Sequence, residues 1–213
     1  MRIRWHGHSC FEFIDTKNSV IVDPHDGKSI GIKPPISKAG IVLVSHDHFD
    51  HNALRVIRNE HSTLFAVRGA HNIKGIDFEG FPSFHDDSGG AVRGANTIYK
   101  FTMDNITICH CGDLGDIPTE DVLEALKDVD IIFVPVGEVY TLPIPVAKEF
   151  LELVNPKIIV PMHYRVGGVT IPLKTLDGFL EDVLPENILY VGNEVELSSD
   201  DICEFSGIWV FDR

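Results

Sequence analysis

Apolar positions fall into short runs along the first half of the chain and into longer blocks along the second. The short runs predict strands over Arg2–Trp5, Cys10–Asp15, Ser19–Asp23, Ile41–Ser45, Thr63–Val67, Ile76–Phe84, Thr97–Thr102 and Ile106–Cys111. Turn-forming clusters separate them, among them Thr16-Lys17-Asn18, Asp26-Gly27, Pro34-Pro35, Asp87-Ser88-Gly89-Gly90 and Asp104-Asn105. Beyond these the pattern alternates. Thr119–Lys127, Pro145–Val154 and Leu173–Val183 read as helices, and short strands close the chain. Ile131–Pro135 and Ile158–Met162 are unbroken apolar runs, as expected of strands buried on both faces. Strands first and βαβ alternation afterwards predict an α/β fold of two packed sheets with helices outside. Functional residues are then expected where strands end and loops begin.

At 213 residues, with 44% hydrophobic and 23% charged positions, the chain can bury an ordinary core without staples, and no linker or low-complexity tract divides it. One domain over 1–213 is the expectation. A net charge of −14 and the lack of a Lys/Arg-rich run argue against a nucleic-acid partner. No apolar stretch is long enough to span a membrane. The four cysteines, Cys10, Cys109, Cys111 and Cys203, have no disulfide-scaffold or C-x-x-C spacing, which fits a reducing compartment; with no apolar leader, the expected location is the cytoplasm. Cys109-His110-Cys111 is poor chelate geometry on a strand and reads better as core thiols.

Histidine changes the picture, with 11 in the chain, many beside Asp or Gly. The apolar strand Ile41-Val42-Leu43-Val44-Ser45 runs directly into His46-Asp47-His48-Phe49-Asp50-His51, and Ala53, Leu54, Val56 and Ile57 continue it with a helical pattern. In an extended loop alternate side chains share a side, so His46 and His48 can clasp one ion. Asp50 and His51 come as the chain turns and point elsewhere, which suits a second ion about 3.5–4 Å away. A solvated loop with Asp50 as a helix cap is the plain alternative, disfavoured by three histidines and two aspartates in six residues.

H-x-H-x-D-H after a strand resembles the signature of the metallo-β-lactamase-fold hydrolases, and further stations match in order. They are Val20-Ile21-Val22-Asp23-Pro24, Phe84-His85-Asp86, Cys111-Gly112-Asp113 and Pro161-Met162-His163-Tyr164. The resemblance implies a four-layer αβ/βα sandwich, two mixed sheets flanked by helices. It implies two divalent ions: His46, His48 and His85 on the first, Asp50, His51 and His163 on the second, Asp113 shared. Asp86 is a competing donor beside His85. Asp23 would orient ligands from behind. His8 and His110 are carried as groups behind the ligands or near the substrate, with satisfied core histidines as the alternative; His8 as an added ligand is not expected, since seven ligands already fill two sites. His6 and His25 are read as structural, and His61 and His71 carry no neighbouring signal. Trp5-His6-Gly7-His8-Ser9-Cys10-Phe11 and Cys109-His110-Cys111-Gly112-Asp113, together with Arg93–Asn96 and Pro135–Tyr140, resemble the L-ascorbate-6-phosphate lactonase-like branch.

The implied activity is hydrolysis of a small anionic ester, lactone or phosphodiester by a metal-bridged hydroxide, with Asp50 both binding metal and orienting the nucleophile. Zinc is the first expectation for imidazole and carboxylate donors, and manganese or iron suit the same set. Five imidazoles and two carboxylates around two divalent ions leave a local charge of about +2 in an acidic chain, which favours a small anion over a charged polymer. Arg93, Asn96, Glu138, Tyr140, Tyr164 and Arg165 flank the stations and are the expected substrate contacts. A nuclease and a non-catalytic metal-binding protein are the rival readings, and a homo-oligomer is compatible with the sequence.

Overall fold

The structure is a computed structural model and describes residues 1–127, 129–204 and 206–212, with the side chains of residues 203 and 204 left aside. Cys203, counted above, therefore has its thiol outside the described residues. In chain order the first half gives β1 (Arg2–Gly7), β2 (Cys10–Ile14), β3 (Ser19–Val22), β4 (Ile41–Val44), β5 (Ser62–Phe65), β6 (Gly69–Ile73), β7 (Ile76–Phe84), β8 (Ala95–Met103) and β9 (Ile106–His110). The second gives α1 (Glu120–Leu126), β10 (Ile131–Pro135), α2 (Ile144–Val154), β11 (Ile158–Met162), α3 (Asp177–Leu180), β12 (Ile188–Tyr190), β13 (Glu194–Glu196), α4 (Asp201–Glu204) and β14 (Gly207–Val210).

These strands make two mixed sheets, ordered β13-β1-β2-β3-β4-β5 and β12-β14-β11-β10-β9-β8-β7-β6. The patterning explains how they pack. Every residue of β4 is buried: Ile41 and Leu43 join the main core, while Val42 and Val44 join a second cluster with Cys10, Ile21, Ala39 and Ile57 on the other face. Between the sheets, the Phe133 ring of β10 lies 4.5 Å from Phe11 and 5.2 Å from Phe13 of β2, centroid to centroid. These aromatic contacts lock one sheet on the other.

The helical layers are thinner than the sequence pattern predicts. The helix expected after His51 is a single 3-10 turn, Leu54–Val56, because the Ala53 N–H donates to Pro24 O and Ile57 is already extended. Its apolar residues cover the outer face of the first sheet instead. The helix expected over Leu173–Val183 shrinks to α3. The Leu173 N–H donates to Ile171 O and the Lys174 N–H to Gly137 O, so that stretch is recruited as a brace for the loop after β10. Edge strand β6 was not expected; it is largely exposed, with polar His71 and Asn72.

Strand direction fixes where the site forms. β1, β3 and β4 share one direction in the first sheet, and β7, β9 and β11 share one in the second. All six end where a candidate residue follows: His8, Asp23, His46, His85, Asp113 and His163. Among the described residues no helix is long and apolar enough to cross a membrane.

Candidate metal centre

Asp113 is the hub. Its Oδ2 lies 3.1 Å from His85 Nε2, 3.1 Å from His163 Nε2, 3.2 Å from His51 Nε2 and 3.8 Å from His46 Nε2. His48 completes a group with His46 and His85, the three rings standing 4.5–4.9 Å apart. Asp50 joins His51, its Oδ2 being 3.7 Å from His51 Nε2. All of these but His48 are buried.

The hydrogen bonds behind the rings set their tautomers. Asp23 accepts from the Ser45 N–H at 2.7 Å, from Ser45 Oγ–H at 2.7 Å and from His51 Nδ1–H at 3.0 Å. With its proton given to Asp23, Ser45 Oγ accepts from His46 Nδ1–H at 2.8 Å. The Tyr140 carbonyl, an acceptor only, takes His85 Nδ1–H at 3.1 Å. In each of these three imidazoles the proton sits on Nδ1 and the lone pair on Nε2, aimed toward a carboxylate oxygen that also carries only lone pairs. His46 Nε2, His51 Nε2 and Asp113 Oδ1 are buried with no hydrogen-bond partner. Acceptors facing acceptors in a dry site need a cation between them, and this donor set fits a divalent metal.

The electrostatics agree. Burial, with the His51 imidazole beside it, pushes His46 down to about 3. Burial would raise the Asp113 carboxyl, but the His163 and His51 imidazoles outweigh it and hold it well below the usual carboxylate range. Burial would lower His51, yet Asp113, Asp50 and Asp23 together raise it well above the ordinary histidine value. His46 is thus neutral beside ionised carboxylates, whereas His51 favours its charged form in the field of the same carboxylates, a positive charge that a bound cation would supply in place of the proton.

A family model described as the beta-lactamase superfamily domain matches residues 2–163. A crystal structure from Thermotoga maritima, a protein proposed to be a zinc-dependent hydrolase of the metallo-beta-lactamase superfamily, superposes with a TM-score of 0.80 at 30% identity, covering 99% of this chain and 97% of the other. The chain belongs to the metallo-β-lactamase superfamily. Its relatives include UPF0173 metal-dependent hydrolases: one of Thermoplasma acidophilum, 30% identical over 78% of this chain and 84% of its own length, and one of Archaeoglobus fulgidus, 27% identical over 83% and 87%.

Against that superfamily frame the other expected residues divide. His8, in the left-handed region at φ 57°, is fully buried; its Nε2–H donates to Asp50 Oδ2 at 3.0 Å, and its ring lies 4.2 Å from that of His163. It therefore comes within ligand range of Asp50, His51 and His163, nearer than the sequence suggested. Burial, with His163 beside it, lowers His8 to about 4. His110 donates from Nε2 to Ser9 O at 2.9 Å and stands 3.9 Å from Asp23 Oδ2, behind the carboxylate rather than at the cavity. Asp86 does not compete with His85: its two oxygens are taken by the N–H groups of Ser88, Gly90, Val92 and Arg93.

A cavity of about 450 Å³ opens over His48, Asp50, His85, Asp113 and His163. Arg93 and Tyr140 line it, as expected of substrate contacts. Four expected contacts do not, and each is spoken for elsewhere. Asn96 is buried, donating to Ser83 Oγ and Cys111 O and accepting the Asp113 N–H, so it positions Asp113. Glu138 pairs with Lys174 at 2.6 Å. Tyr164 stacks on Trp5 and donates to Phe211 O. The Arg165 N–H donates to Lys174 O, outside the cavity wall. Sequence reasoning passed over Ser29, Phe49, Thr170, Ile171 and Pro172, which complete the wall. Only Phe49, inside the histidine run and 57% exposed, carried a readable signal.

Proposed function

We propose that the chain is a dinuclear metal-dependent hydrolase of small anionic esters, lactones or phosphodiesters. One observation carries the reading: imidazole nitrogens of His46, His51, His85 and His163, from three separate strand ends, converge on one oxygen of Asp113, and hydrogen bonds hold the ring protons of His46, His51 and His85 on the far side. His46, His48 and His85 would hold one ion, Asp50, His51 and His163 the other, and Asp113 both. When bound, a pair of zinc ions, or manganese or iron in the same donor set, lowers the pKa of a shared water toward neutrality and polarises the electrophilic oxygen.

The chain supplies the rest. Asp50 has Oδ2 held by His8, leaving Oδ1 to orient the attacking water and accept its proton. Asp23 and Ser45 keep His51 and His46 in the ligating tautomer. Phe49, Ile171 and Pro172 give the cavity an apolar wall against which a small organic substrate sheds water, and the volume fits such a molecule. The lactone class follows from the resemblance of the Trp5–Phe11 segment to the ascorbate-phosphate lactonase-like branch.

The test is metal analysis of the purified protein, then a panel of lactones, phosphodiesters and acylated amines with each metal restored. Turnover of one class, abolished by chelation and by His48→Ala, is the expected result. Full activity in a verified metal-free sample sinks the mechanism. Turnover of none supports a non-catalytic metal-binding protein instead.

A further inference from the structure

Among the described residues, the wall of the cavity over Asp113 carries a single Lys or Arg side chain, Arg93. In this chain of 32 acidic residues Arg2 and Arg4 pair with Glu194 and Arg55 with Asp26. Arg93 has no carboxylate partner among the described residues. Its guanidinium carbon sits 4.7 Å from the centroid of the Tyr140 ring. A guanidinium on an aromatic face keeps its N–H edge free for an incoming anion.

The mounting is rigid. The loop from His85 to Gly94 is closed by His85 N–H to Gly94 O at 3.0 Å and Gly94 N–H to Gly90 O at 3.0 Å. Within it Asp86 gathers four N–H groups, the shortest from Arg93 itself at 2.6 Å. Tyr140 does two things at once: its ring carries Arg93 and its carbonyl fixes His85 Nδ1–H. The cation and a nitrogen facing Asp113 are thus registered through one residue, and little ordering is left to be done when a ligand arrives.

We infer that Arg93, seated on Tyr140, is the recognition point for an oxyanion on the substrate, a carboxylate or phosphate group held apart from the bond that is cleaved. This deepens the hydrolase reading and rests on it for the word substrate. A planar or tetrahedral oxyanion takes the guanidinium fork through two parallel N–H···O bonds; a neutral tail of the same length takes none.

The probes are para-nitrophenyl butyrate, mono-para-nitrophenyl glutarate, and the analogue whose tail ends in phosphonate. With metal-loaded protein, Arg93→Gln should lower kcat/KM for the charged esters roughly 10- to 100-fold, mainly through KM, and lower it far less for the butyrate. Tyr140→Leu keeps the carbonyl to His85 and should cost the charged esters about 2- to 5-fold. The stronger of the two charged arms names the oxyanion. Equal losses on all three esters, or none on any, overturn the proposal. If no ester turns over, the hydrolase reading fails, and titrating glutarate or the free phosphonate while following the Arg93 Nε–H NMR signal still decides this one. Movement of that signal, lost in Tyr140→Leu, upholds the clamp, and a stationary signal refutes it.

Discussion

Replacing Asp23 by Asn tests the tautomer argument with almost no change of shape. Asp23 sits in the left-handed region at φ 48°, a conformation Asn tolerates as well as Asp, so the backbone adds no strain. The amide keeps one oxygen for the Ser45 N–H, and its NH2 then faces Ser45 Oγ and His51 Nδ1, where a carboxylate oxygen stood. Facing a donor, His51 Nδ1 becomes the acceptor and the ring proton moves to Nε2, the atom 3.2 Å from Asp113. One ligand is thereby blocked without being removed. Disturbing such a supporting hydrogen bond costs about 10- to 100-fold in metal affinity, or about 1.4–2.7 kcal/mol.

The same loss has a thermal signature. Metal at about 100 times Kd stabilises the native state by about 2.7 kcal/mol, which for a chain of this size raises Tm by about 5–11 °C. At the same metal concentration Asp23→Asn should retain only about 0.4–1.4 kcal/mol, or a rise of about 1–6 °C. Chelator competition for zinc gives the affinity, and thermal unfolding with and without zinc gives the shift. A variant that binds zinc within twofold of the parent while staying folded refutes the tautomer argument. Asp23→Ala, which strands the Ser45 N–H and His51 Nδ1–H in a dry site, should instead lower the metal-free Tm.

Three further changes probe other parts of the structure. In Gly112→Ala the new Cβ would lie 2.4 Å from Asn96 Oδ1 and 2.6 Å from Ser45 Cβ, at a φ of +56°. Asn96, the acceptor of the Asp113 N–H, must move, so zinc affinity should fall at least tenfold in a folded protein, and unchanged chelator competition would contradict this. Phe133→Ala empties the centre of the inter-sheet aromatic cluster and should cost about 3–5 kcal/mol, a fall of about 6–20 °C in Tm; a fall under a few degrees would mean the sheets are held elsewhere. Glu12 is buried, which would raise it, but bonds from His6, Ser37 and Ser19 win and hold it below the usual range. Because its folded pKa lies below the unfolded value of about 4.3, its stabilisation is complete above that pH and drains away as pH falls through the folded value. The Tm gap between the parent and Glu12→Gln should therefore close on acidification from pH 7 toward 3, and a constant gap would count against this role.

How much of the site could be read beforehand follows the same geometry. His46, His48, Asp50 and His51 were legible as a cluster because six consecutive residues bring most of a candidate metal site together with no help from the fold. His85, Asp113 and His163 join that cluster in the structure but are named in the sequence by resemblance alone, since nothing local distinguishes a strand-end histidine suited to a metal from one that meets a carbonyl. The misplaced contacts share one error, treating neighbours in sequence as neighbours in space. Tyr164 follows His163, but successive side chains at a strand end diverge, and it turns down onto Trp5 while His163 faces the cavity. Asn96 flanks a station in the sequence, yet the β8 pleat sends it inward beneath Asp113. The wall at Thr170–Pro172 was illegible because no residue there bears chemistry. The Thr170 N–H to Ile30 O bond and the Lys174 N–H to Gly137 O bond bring that loop over the site. The two overlong helices failed similarly, as their apolar spacing suited a helix while long-range backbone bonds claimed the chain.

The left-handed residues say why the site needs so much structure beneath it. His8 and Asp23 of the first sheet and His163 of the second all adopt positive φ immediately after a strand. A strand continued in the extended region would set the next side chain above or below its sheet; the left-handed step turns it off the strand end instead, toward the gap where the two sheets meet. Each such step costs roughly 1 kcal/mol or more and persists only if its surroundings hold it. Here the turns hold one another across that gap. His8 O, at the end of the first sheet's β1, accepts from the His163 N–H at 3.4 Å, at the end of the second sheet's β11, and from Trp5 Nε1–H at 3.0 Å. Asp23 is pinned by its N–H to Leu43 O at 2.9 Å. The nitrogen positions are therefore set by how the sheets sit on each other, and the aromatic cluster around Phe133 sets that. Loss of core packing in Phe133→Ala should accordingly weaken zinc binding as well as lower Tm, although among the described residues the one histidine ring beside Phe133 is that of His110, behind the candidate site.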